Sequence, residues 1–192
     1  MNARAPRRRR IVLTGFMCAG KTTVARALAA RLGGAMIDTD AALVRRANRS
    51  IEAILDEDGE ARFRQIERDV LRDILDKDEA RVVALGGGTW TLEENRALIA
   101  AHDCLTVWLD APFDLCWQRI ADSTDARPLA RDRDRAHDLY DARRAAYALA
   151  HLRVEITAAR SAEDTAAEIA SIIERQNFSD EPEGREGENT DG

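Results

Sequence analysis

GFMCAGKTT, Gly15 to Thr23, follows directly on the apolar run Ile11-Val12-Leu13-Thr14 and leads into an Ala- and Leu-rich segment from Thr22 to Leu32. An apolar run, a glycine-rich loop and a helical segment in that order predict a strand, a phosphate cradle and a helix N-terminus. Gly15 to Thr22 matches the pattern GxxxxGK followed by Ser or Thr. Its glycines remove side chains where backbone N–H groups close on phosphate oxygens, and the helix start adds partial positive charge. Lys21 is the expected neutraliser of the β- and γ-phosphates, and Thr22 the hydroxyl for Mg²⁺. Gly15, Cys18, Ala19, Gly20, Lys21, Thr22 and Thr23 are therefore the expected nucleotide contacts. Cys18 reads as a small residue at a variable position; the alternative is a thiol activated by the helix start.

Outward from this loop, short β-type runs alternate with helical patterns. The runs are Ile11 to Thr14, Ala35 to Asp38, Val82 to Leu85, Leu105 to Leu109 and Arg153 to Thr157. Between them, Phe63, Ile66, Val70 and Ile74 make one apolar stripe on a helix from Glu60 to Leu75. Thr91 with Glu94 predicts a capping box, Pro112 a first helical turn, and Ser161 with Asp164 the start of a last helix striped by Ala166, Ile169 and Ile173. This alternation predicts a single α/β domain, a five-stranded parallel sheet flanked by helices, over residues 11–176. A disordered basic tail is expected at 1–10 and a disordered acidic one at 177–192. The first holds five arginines and no acid, the second six acids and one arginine.

In parallel sheets, ligand sites gather beyond the carboxyl ends of the strands. The first run ends in the cradle, the second in Asp38-Thr39-Asp40, the third in Gly86-Gly87-Gly88. The third lacks the acid that usually completes a Mg²⁺ site beside such a loop, so Asp38 becomes the candidate metal partner together with Thr22. If the chain stays extended, Asp38 and Asp40 point the same way, and Asp40 can accept a hydrogen bond from an acceptor hydroxyl. The competing reading is an Asp pair that caps the next helix. Three consecutive glycines imply close approach to the main chain. Arg64 and Glu67 read as an exposed helix pair, and Arg127 as a loop arginine that a lid at about 119–135 could bring onto phosphate.

The chain has 192 residues and a net charge of −6, which disfavours nucleic acid as a partner. Three cysteines without CxxC spacing support neither a disulfide framework nor a zinc site. No apolar stretch approaches a membrane span and no signal-type segment is visible, so a cytoplasmic protein with no membrane partner is expected.

Taken together, GFMCAGKTT, DTD, NRSI (Asn48 to Ile51), DGEARFRQIE (Asp58 to Glu67), LGGG, ARPL (Ala126 to Leu129) and RRAAY (Arg143 to Tyr147) resemble the shikimate kinase family in content and order. The resemblance covers about residues 10–175. It implies a P-loop kinase of nucleoside-monophosphate-kinase-like fold, a monomer, using ATP and Mg²⁺ to phosphorylate the 3-hydroxyl of shikimate on the route to chorismate and aromatic amino acids. By the same resemblance, Asp40 would hold the ring hydroxyls and act as base. Arg64 and Arg143 would clamp the carboxylate, with the amides of Gly86, Gly87 and Gly88 against the substrate. Arg127 would be the lid arginine, catalytic with Lys21 and Asp40, and Arg119 would stack near adenine. The family often has glycine at Cys18 and proline at Ala145, and the choice of Arg143 over Arg144 rests on four residues to Tyr147. Rival readings are a kinase of another small polyol or acid such as gluconate, a nucleoside monophosphate kinase, and a nucleotide-binding regulatory protein without catalysis.

Overall fold

The computed structural model describes residues 9–77, 79–122 and 132–179. The apolar runs form five strands: β1 (Ile11–Thr14), β2 (Met36–Asp38), β3 (Val82–Ala84), β4 (Leu105–Asp110) and β5 (Leu152–Glu155). They pair in parallel in the order β2-β3-β1-β4-β5. Every residue of β1, β3 and β4 is buried, because helices cover both faces of the central strands. The chain winds to one side of β1 and then to the other, which opens a crevice at the carboxyl ends beside β1, where ligands bind in such sheets.

The helices are α1 (Lys21–Arg31), α2 (Thr39–Ala47), α3 (Ile51–Lys77), α4 (Glu93–Ala101), α5 (Phe113–Ala121), α6 (Arg133–Tyr147) and α7 (Ala162–Ser179). Helix α1 packs on α7, α2 on α3, and α5 on α6. The start of α7 is the expected one: Asp164 N donates to Ser161 Oγ over 3.0 Å, and Ala166, Ile169 and Ile173 are buried.

The helix expected at 60–75 is present as the second of two stretches joined at Gly59, whose φ of 81° and ψ of 168° are not helical; the first stretch starts at Ile51. Three expectations need correction. Thr91 caps nothing, since α4 starts after Leu92 without a side-chain cap; its hydroxyl donates instead to Gly88 O over 2.7 Å. A 3₁₀ turn at Thr89–Thr91 follows the glycines immediately and takes this threonine for the turn. The domain also reaches past its expected ends. Arg10 is buried and donates to the carbonyls of Ile74, Leu75 and Ala80, and α7 continues to Ser179. Arg10 is drawn in because the last carbonyls of α3 have no partner within the helix.

Candidate active site

Gly15 and Gly20 bracket a loop bent back on the end of the sheet. At Gly15, with φ of +140°, an added Cβ would stand 2.6 Å from Leu109 O, so no larger residue fits where β1 meets β4. Gly20 is the left-handed cap of α1, and Cys18 also holds positive φ, at 58°. Lys21 lies buried beneath the loop and donates to Gly15 O at 2.9 Å and Phe16 O at 2.8 Å. Burial holds its ammonium below the ordinary lysine range, and the carboxylates of Asp40 and Asp38 work in the opposite sense. A buried cation under a ring of backbone groups suits a polyanion.

At the end of β2, the Thr22 hydroxyl donates to Asp38 Oδ2 over 2.6 Å. Asp38 Oδ1 accepts the N–H groups of Asp40 and Ala41, at 3.0 and 3.1 Å. Asp38 therefore caps α2 and faces the loop at once. The chain does not stay extended beyond it: Asp40 stands in the first turn of α2, so its direction is set by a helix and not by strand alternation. Thr22 and Asp38 bring two hard oxygens side by side. That fits Mg²⁺, which takes one or two protein oxygens and otherwise relies on water and substrate phosphates. Among the described residues no group of three or more His, Cys, Asp or Glu side chains could hold an ion by itself.

The glycine turn after β3 is where the remaining charges meet. A Cβ added to Gly86 would lie 2.3 Å from Asp40 Oδ1; at Gly88 it would lie 2.8 Å from Arg64 Nη1 and 3.3 Å from Arg143 Nη2. At Gly87 the neighbour is Arg143 Nη1, at 3.4 Å. One acid from α2 and two arginines from α3 and α6 thus converge on main chain stripped of side chains. Thr39 Oγ1 accepts Gly86 N over 2.8 Å and pins the turn to α2.

Arg143 is buried against this turn, whereas Arg144 turns away to bind Asp110, with 2.8 Å from Nη1 to Oδ1. Arg119 Nη1 donates to Cys18 O over 3.1 Å, which brings α5 onto the phosphate loop. Arg127 and most of the expected lid lie outside the described residues.

Several site residues escaped the sequence reading. Glu67 is 3% exposed rather than solvated. Its Oε2 accepts from Arg64 at 2.9 Å and its Oε1 from the Thr89 hydroxyl at 2.7 Å. Asn95 Nδ2 holds Thr89 O at 2.9 Å. Tyr147 donates to Gly87 O at 2.6 Å. A signal for Glu67 did exist: with Phe63, Val70 and Ile74 it keeps the spacing of four, three and four of a helix's inward face, a place for a paired carboxylate and not a solvated one.

The family model for shikimate kinase matches residues 17–174. A shikimate kinase of Salinibacter ruber is 39% identical over 178 residues, covering 87% of this chain and 85% of that protein. Among solved structures, the shikimate kinase of Acinetobacter baumannii in complex with shikimate superposes with a TM-score of 0.81 at 33% identity, over 88% of this chain and 95% of that one. The shikimate kinase of Aquifex aeolicus gives 0.73 at 32% identity, over 88% and 98%.

Proposed function

The chain belongs to the shikimate kinase family, and from that premise we propose that it transfers the γ-phosphate of ATP to the 3-hydroxyl of shikimate. The observation that carries this reading is the meeting of Asp40, Arg64 and Arg143 at Gly86 to Gly88, beside the phosphate loop. A ring acid with several hydroxyls needs that combination: guanidinium groups for the carboxylate and a carboxylate for the hydroxyls. The A. baumannii enzyme, which binds shikimate, shares the fold over nearly all its length.

In the proposed reaction the nucleotide phosphates lie along Gly15 to Thr23, with Lys21 at the β- and γ-phosphates and Arg119 on the nucleotide side of the loop. Arg127 is the proposed lid arginine. Asp40 accepts the proton of the acceptor hydroxyl as its oxygen bonds to the γ-phosphorus. The bond from that phosphorus to the β–γ bridging oxygen breaks, and ADP leaves. Thr22 and Asp38 would hold Mg²⁺, which when bound offsets charge on the β- and γ-phosphates. Arg64 and Arg143 keep the ring's carboxylate at the far end of the cleft, so the reacting hydroxyl is aimed rather than merely bound.

The test is ADP release measured with shikimate, quinate, gluconate and AMP in turn. Shikimate should exceed every other acceptor in kcat/KM by roughly a hundredfold or more, since lost polar contacts leave buried charges unpaired. Comparable turnover with gluconate or AMP would overturn the assignment.

A further inference from the structure

The last turn of α6 carries Arg143 and, one turn on, Tyr147, so both side chains leave the same face of the helix. Tyr147 is 1% exposed, and its ring lies beside that of Trp108, with centroids 6.1 Å apart. Its hydroxyl donates to Gly87 O at 2.6 Å. The Arg143 guanidinium lies beside the same glycine, close enough for its charge to favour the phenolate form of Tyr147 against the effect of burial. A second bond runs back from the turn to the same stretch of helix: Trp90 Nε1 donates to Ala146 O over 2.8 Å.

The consequence for the turn follows from peptide geometry. In a trans peptide the carbonyl of one residue and the N–H of the next point in opposite directions. With Gly87 O held against Tyr147, the Gly88 N–H is directed away from the tyrosine. Among the described residues that N–H has no hydrogen-bond partner. The guanidinium groups of Arg64 and Arg143 stand nearest to where a Cβ on Gly88 would lie. A single hydroxyl therefore sets the direction of one backbone donor in a turn that both guanidinium groups approach, where the carboxylate of the proposed substrate would sit.

We propose that Tyr147 is a positioning residue for the carboxylate-binding part of the site: its hydroxyl holds the Gly87–Gly88 peptide beside Arg143 as one pre-set anion receptor. The proposal rests on the reading of Arg64 and Arg143 as the carboxylate clamp. Tyr147 touches no substrate; it works by sparing the ligand the ordering of a backbone donor beside the clamp. Phenylalanine at this place keeps the ring and its packing and removes only the bridge.

The experiment compares Tyr147→Phe, Arg143→Ala and the double variant in steady-state kinetics, with thermal unfolding of each. Tyr147→Phe should raise KM for shikimate by about tenfold, the loss of roughly one hydrogen bond to a charged group. KM for ATP should stay within about twofold and Tm within a few degrees. On the Arg143→Ala background the same change should add about threefold at most, because the two residues act as one unit. An unchanged KM for shikimate in Tyr147→Phe overturns the proposal, as does a parallel rise in KM for ATP, or a full tenfold effect that persists without Arg143. If Arg143→Ala itself leaves KM for shikimate unchanged, the clamp reading falls and takes the proposal with it. If Arg143→Ala raises KM and Tyr147→Phe does not, the clamp stands and only the role of Tyr147 is lost.

Discussion

The Thr22 hydroxyl and Asp38 Oδ2 are 2.6 Å apart, which ties the first turn of α1 to the end of β2. The other oxygen of the same carboxylate caps α2. Helix cap and metal partner stood as alternatives in the sequence; the geometry is compatible with both at once, one oxygen for each.

This division of labour separates two effects by mutation. Asp38→Asn keeps a carbonyl oxygen for the cap and loses the charge, so stability should change by no more than about 1 kcal/mol. The rate should fall at least about tenfold at fixed Mg²⁺, and the Mg²⁺ concentration for half-maximal rate should rise. Titration of kcat against Mg²⁺ reads this directly, and a curve superimposable on wild type would refute the metal role.

Asp40 stands against Gly86, and its charge also reaches Lys21 of the phosphate loop. Asp40→Asn keeps the shape of the side chain, so ATP affinity, measured by calorimetry, should change far less than kcat, which should fall by roughly 100- to 10,000-fold through loss of the base. Normal kcat in this variant would remove Asp40 from the chemistry.

Strands, phosphate loop and glycine turn were legible because each is written in a few adjacent residues: β-type runs, glycines, and one lysine before a threonine. Arg64 and Arg143 became legible through the ordered series of motifs, not through any local rule. What stayed hidden depends on residues distant in sequence. Arg10 looked like one more member of an arginine run, since nothing near it shows that the carbonyls of Ile74 and Leu75 end their helix within its reach. The sequence shows Glu67 one helical turn from Arg64 but not its burial, because its second partner, Thr89, lies on the far side of the glycines. Nothing near Tyr147 in sequence shows that its hydroxyl reaches Gly87, 60 residues away.

The burial of Glu67 makes it a stability residue as well as a site residue. Glu67→Ala would leave Arg64 without a buried partner and the Thr89 hydroxyl without an acceptor, a loss of about 3 to 5 kcal/mol in urea unfolding. Glu67→Gln retains an acceptor oxygen and should lose less. Both should raise KM for shikimate more than KM for ATP, since the freed guanidinium no longer points at Gly88. Equal effects on the two substrates would mean that Glu67 acts on the fold alone.

Arg10 offers a second stability test, remote from the chemistry. Its guanidinium satisfies carbonyls at the end of α3 and at Ala80, at 2.9 to 3.2 Å. Arg10→Met keeps the aliphatic stem and strips the donors, which should cost about 2 to 4 kcal/mol with unchanged KM values. An unaltered urea midpoint would show that solvent replaces the arginine without loss.

At alkaline pH the fold should weaken through groups buried in their neutral forms. Cys116 is 0% exposed, and burial pushes its thiol from the ordinary 9.0 up to about 12. Above pH 9 the unfolded chain loses this proton while the folded chain keeps it, so the unfolded state gains. The stabilisation is whole below pH 9 and is lost as pH rises toward 12. Burial also raises Tyr147 from 10.0 to about 12, which adds a second loss that begins near pH 10. Lys21, lowered by burial, works in the opposite sense below its ordinary 10.5, and it is common to wild type and variant. Cys116→Ala should start less stable at pH 8, because a packed sulfur is gone, yet decline less steeply. Between pH 9 and 11 the difference in slope should recover about 2 to 3 kcal/mol. Urea midpoints at pH 8, 9, 10 and 11 measure it, and parallel curves for wild type and Cys116→Ala would show that the thiol ionises as readily in the fold as outside it.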